Sequence, residues 1–87
     1  MSWDVSPQTR VTLRIAGEVM DVSSMSSSEI KNTIIAKARE LGWRRIKVAI
    51  NGVEVSPTEF ESKLEELKNQ GVSEIVIDVT KLDVAGI

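Results

Sequence analysis

The side chains able to do chemistry in this chain fall into an acidic group and a basic group. Glu59, Glu61, Glu65 and Glu66 crowd one short stretch, and clustered carboxylates are the raw material of a divalent-cation site. Calcium takes roughly six to eight oxygens from a loop that wraps the ion, and no D-x-D-x-D-G spacing occurs here. The spacing suits the solvated flank of a helix, with Glu59 one turn from Lys63 and early acids favoured by the helix dipole. These four glutamates are therefore weak metal candidates. The basic group is Lys37, Arg39, Arg44, Arg45 and Lys47, which could meet an anion or a phosphate backbone. Lys37 and Arg39 also have a simpler reason to be there, because cations stabilise a helix C-terminus.

Nucleophilic and acid–base chemistry find less support. The chain has no Cys and no His, which removes thiolate nucleophiles, zinc–sulfur sites and the commonest general base. The serines have no base beside them in any recognisable pattern, and the five glycines stand alone, so no phosphate-cradling loop is formed. The expectation is a protein that is not an enzyme and uses no cofactor.

Composition sets the scale. The 87 residues carry 13 acids and 11 bases, a net charge of −2, with 41% hydrophobic and 28% charged residues. That is one ordinary globular domain, and a nucleic-acid protein working by bulk positive charge is disfavoured. No apolar run approaches the ~20 residues that span a bilayer, and Met1 to Arg10 lacks the pattern of a signal peptide. A cytoplasmic location without membrane association is expected.

The elements that must position these groups read clearly. Residues 1–9 form an arm with Trp3, residues 10–81 the domain and residues 82–87 a tail. Val11, Leu13 and Ile15 alternate with Thr12 and Arg14 as a half-buried strand, and Gly17 turns the chain into a second strand over Val19 to Val22. Ile30, Ile34, Ile35, Ala38 and Leu41 then form one helical stripe. Ser26 and Glu29 make a capping box, Met25 staples onto Ile30, and Gly42 ends the helix with Trp43 folded back on Ala38. Arg45 to Ile50 alternate as a third strand, and Asn51-Gly52 is a strong hairpin signal before Val53 to Val55. Ser56-Pro57-Thr58-Glu59 reads as a second capping box with Pro at the first helical position, opening a helix that buries Phe60, Leu64 and Leu67 up to Gly71. Glu74 to Thr80 is the last strand. The result is an α+β domain of order ββαβ(β)αβ, with a mixed four- or five-stranded sheet and two helices.

This succession, from about Arg10 to Thr80, resembles the β-grasp fold of ubiquitin and its relatives, most closely in IKVAINGVEV at residues 46–55. The second helix is fuller than ubiquitin's, and the chain ends Ala85-Gly86-Ile87 where modifiers and sulfur carriers end in Gly-Gly. The resemblance implies that the last strand lies between the first and third. Glu74, Val76 and Asp78 would then face outward between Arg10 and Arg14 on one side and Arg45 and Lys47 on the other. A ladder of cross-strand ion pairs explains that pattern, and a charged docking face is the second account. The apolar patch by which ubiquitin is gripped falls here at Ala49 and Asp78, so ubiquitin-type recognition is not expected. The functional expectation is a small non-catalytic protein-interaction module that binds another protein through Trp3, Arg10, Arg14, Arg45, Lys47, Ala49 and Val76. The alternatives are a modifier or sulfur carrier with a processed C-terminus, and an anion, nucleic-acid or divalent-cation binder.

Overall fold

The computed structural model describes residues 9–82. It contains β1 (Arg10–Ile15), β2 (Glu18–Asp21), α1 (Ser27–Glu40), β3 (Ile46–Ile50), β4 (Val53–Val55), α2 (Phe60–Asn69) and β5 (Glu74–Lys81). The five strands form one mixed sheet in the order β2-β1-β5-β3-β4. β1 and β5 run parallel, and every other neighbouring pair is antiparallel. The last strand therefore lies between the first and third, an α+β arrangement compatible with a β-grasp-like fold.

Period-2 alternation puts Val11, Leu13, Ile15, Val48, Ile50, Ile75, Ile77 and Val79 on one face of the sheet. There they pack in a single core with Ile30 and Ile34 of α1 and Phe60 and Leu64 of α2. Full burial of each such side chain contributes about 1.5–3 kcal/mol. The apolar stripe of α1 is narrower than its sequence suggests. Ile30, Ile34 and Ala38 are buried, whereas Ile35 and Leu41 remain 38% and 39% exposed. Ile35 lies about 100° around the helix from Ile34, and Leu41 is already the C-cap residue.

The start of α1 follows the expected capping box. Ser26 Oγ accepts the Glu29 N–H at 3.2 Å, and Glu29 Oε1 accepts the Ser26 N–H at 2.9 Å. At its end the Trp43 N–H donates to Ala38 at 2.8 Å and the Gly42 N–H to Arg39 at 3.0 Å, with Gly42 at φ 77°. These two bonds satisfy carbonyls that a helix end leaves open.

The second capping box does not form. Residues 56–59 make a turn closed by the Glu59 N–H on the Ser56 carbonyl at 3.0 Å, and Ser56 Oγ lies 3.2 Å from Thr58 Oγ1. The helix begins three residues later than Pro57, with Glu59 as an N-cap that makes no side-chain cap bond. Once Ser56 closes a turn through its carbonyl, its hydroxyl no longer lies over the first turn of the helix.

Candidate functional site

Both helices cover the same face of the sheet, and the opposite face is uncovered among the described residues. One row of outward positions crosses all five strands in the order Val19, Arg14, Asp78, Ala49 and Glu54. Beside it lie the register partners Asp21, Thr12 and Val76, then Arg10 with Glu74, while on the other side Lys47 stands opposite Thr80. Thr12, Ala49, Val76 and Asp78 are half-buried in the middle, and Arg14, Val19, Lys47 and Glu54 are exposed around them.

The charge ladder holds on one side of β5 only. Arg10 and Arg14 face Glu74 and Asp78 across the parallel pairing, and Arg14 Nε reaches Asp78 Oδ1 at 3.5 Å. On the other side Asp78 faces Ala49, and Lys47 reaches Glu54 of β4 at 3.9 Å. Arg45 precedes β3, and its carbonyl accepts the Leu82 N–H at 3.0 Å. The antiparallel register is offset from the one the ladder requires. Exposed pairs of this length contribute at most about 1 kcal/mol each, so they orient the face more than they stabilise it.

At one end of the sheet two adjoining clefts share Lys81. The first, of about 310 Å³, lies between the Ala16-Gly17 turn, Arg14, Trp43 and Thr80. The second, of about 460 Å³, is lined by Gly42, Arg44, Arg45, Lys81 and Leu82. They meet where α1 stops, β3 begins and β5 ends, so three elements deliver bases to one pole. Arg39, Arg44, Arg45 and Lys81 have no carboxylate within ion-pair distance among the described residues.

Lys37 is different, for its ammonium lies 3.2 Å from Glu18 and 3.5 Å from Glu40. Hydrogen bonding and proximity to Glu18, then to Glu40, raise its pKa above 10.5. Among the described residues the other perturbed group is Asp21. Ser23 donates to its carboxylate from Oγ at 2.5 Å and from N–H at 2.9 Å, holding it below 3.8.

The α2 glutamates are dispersed among separate partners. Glu61 meets Lys31 at 3.7 Å, Glu66 meets Lys63 at 3.9 Å, and Glu65 accepts a hydrogen bond from the buried Ser27 of α1. No group of three or more metal-ligating side chains converges among the described residues. Trp3 and the terminal Ala85-Gly86-Ile87 lie outside the described residues. No helix among the described residues is long and apolar enough to cross a membrane.

Sequence reasoning overlooked Val19, Glu54 and Lys81. The first two follow from register, since two-residue turns at Ala16-Gly17 and Asn51-Gly52 set Val19 against Arg14 and Glu54 against Ala49. Lys81 lies one residue past the last strand expected from the sequence, because alternation of apolar residues stops at Val79, yet its backbone continues the ladder against Ile46. Neither models of known protein families nor curated proteins match this chain.

Proposed function

We propose that the chain is a β-grasp-like protein-interaction module that docks another protein on the uncovered face of its sheet. The observation that carries this reading is the make-up of that face. Small apolar side chains, Ala49 and Val76, sit in its middle with Thr12 and the Arg14-paired Asp78, and Arg14, Lys47 and Glu54 ring them. An apolar centre with a charged rim is the usual anatomy of a non-obligate interface: the centre excludes water and the rim sets orientation. Rigid strands hold these side chains in fixed register, which limits the entropy lost on docking.

The test is affinity capture from the source cell with the full chain, using wild type, Val76→Glu on the open face and Ala36→Glu on the exposed flank of α1. The expected result is a partner that survives washing in salt, is retained by Ala36→Glu and is lost by Val76→Glu, with both variants folded by circular dichroism. A partner retained equally by all three chains would contradict the assignment of this face.

A further inference from the structure

Where β5 stops, the end of the sheet carries bases that the fold itself does not account for. Arg39 lies in the last turn of α1, where the helix dipole explains it. Arg44 and Arg45 lie beyond the Leu41 cap and Lys81 comes from β5, so that explanation does not reach them. The acids of this end are already engaged, Glu18 and Glu40 by Lys37 at 3.2 and 3.5 Å and Asp78 by Arg14 at 3.5 Å. Arg44, Arg45 and Lys81 have no carboxylate within ion-pair distance among the described residues. They line one cleft of about 460 Å³ with Gly42 and Leu82. Its backbone is pinned on both sides, by the Trp43 N–H on the Ala38 carbonyl at 2.8 Å and by the Leu82 N–H on the Arg45 carbonyl at 3.0 Å. Arg44 sits between these fixed points, so little backbone order has to be gained when an anion binds.

The adjoining cleft, of about 310 Å³, differs in character. Ala16, Val19 and Trp43 give it an apolar wall, Val19 is 66% exposed, and Lys81 is common to both clefts. We propose that the two clefts together take an extended peptide segment of a partner protein, with carboxylates on Arg44, Arg45 and Lys81 and a bulky aliphatic side chain beside Val19 and Trp43. Guanidinium groups pair with carboxylates in bidentate geometry. Phosphate shares that chemistry, and two features favour the peptide. Trp43 packs against the hydrophobic core, so it forms a wall and offers no free ring on which a base stacks. Glu18 and Asp78 line the adjoining cleft, where a polynucleotide is repelled at its next phosphate and a peptide presents an uncharged side chain. The site adjoins the open face at Arg14 and Val19 but uses neither Ala49 nor Val76 at its centre, so the proposal does not rest on docking there.

The test is fluorescence anisotropy of a labelled peptide of aspartate, glutamate and leucine titrated with the full chain. Its leucine-to-serine counterpart and an oligothymidylate of equal charge are titrated beside it. The expected result is saturable binding that weakens about tenfold between about 50 mM and about 500 mM salt. Arg44→Gln with Arg45→Gln weakens it about tenfold, and the leucine-to-serine change in the peptide does so by a similar factor. Lys63→Gln with Lys68→Gln removes the same charge from α2 and leaves the affinity unchanged, with both double variants folded by circular dichroism. Absence of saturable binding overturns the proposal, as does an affinity that the α2 pair lowers as much as the arginine pair. Equal binding of the serine peptide, or tighter binding of the oligothymidylate, overturns the assignment of a peptide to the two clefts.

Discussion

Asn51 and Val76 exchange two hydrogen bonds at the end of the β3–β5 ladder. The Asn51 N–H donates to the Val76 carbonyl at 2.8 Å, and the Val76 N–H donates to Asn51 Oδ1 at 2.8 Å. The side-chain amide adds a longer bond to the Glu74 carbonyl at 3.4 Å. A residue chosen for its turn also extends the sheet by one rung and satisfies the backbone of the central strand in the middle of the open face.

The two roles of Asn51 are separable. Asn51→Gly keeps the left-handed backbone (φ 52°) and loses the side-chain bonds, which costs about 1–2 kcal/mol. Asn51→Ala loses the bonds and also strains the turn, adding about 1 kcal/mol. Urea denaturation of the three chains should rank them wild type, Gly, Ala; an Ala variant as stable as the Gly variant would contradict the turn assignment.

Ala16 occupies the same turn position in the first hairpin, at φ 53°, without a side chain suited to it. Ala16→Gly relieves that strain and should stabilise the fold by about 0.5–1 kcal/mol, a gain offset in part by the entropy of the unfolded chain. A fall in thermal midpoint would show that the strain is not there.

Asp21 makes stability depend on pH at the acid end. Its carboxyl is held below 3.8 by the two Ser23 bonds, so its contribution is complete above that value and disappears as pH falls through the folded pKa. Ser23→Ala returns the Asp21 pKa toward 3.8, read from its carboxyl resonance in an NMR titration. It also removes the acceptor of the buried Val11 N–H, 2.9 Å away, which costs about 1–3 kcal/mol at every pH. An unmoved Asp21 resonance would mean that Ser23 is not its partner.

The two S-x-x-E sequences predict unequal effects. Ser26→Ala removes a formed cap and should cost about 1 kcal/mol. Ser56→Ala removes only a hydroxyl contact to Thr58 and should cost a few tenths at most. Equal losses would mean that the second box forms in solution.

Elements were legible where local chemistry and periodicity agree. The Ser26-Glu29 box, the Gly42 and Gly71 stops and the Asn51-Gly52 hairpin each use bonds within a few residues, and sequence displays those directly. What failed depended on distant partners. Ser56-Pro57-Thr58-Glu59 has the same letters as a cap, but the short β4 delivers the chain into a turn first. The offset that sets Asp78 against Ala49 and Lys47 against Thr80 comes from antiparallel pairing, which alternation alone leaves free by two residues. Nothing in the sequence sets Ser27 apart from the serines beside it, since its burial against Glu65 arises only once α2 packs on α1.

The most direct test of the open face as a docking surface is ¹⁵N NMR of the full chain with and without the captured partner. The account predicts shifts and line broadening at Thr12, Arg14, Ala49, Val76 and Asp78, with the outward flanks of α1 and α2 unchanged. Perturbation confined to the helices, with those strand resonances still, would contradict it.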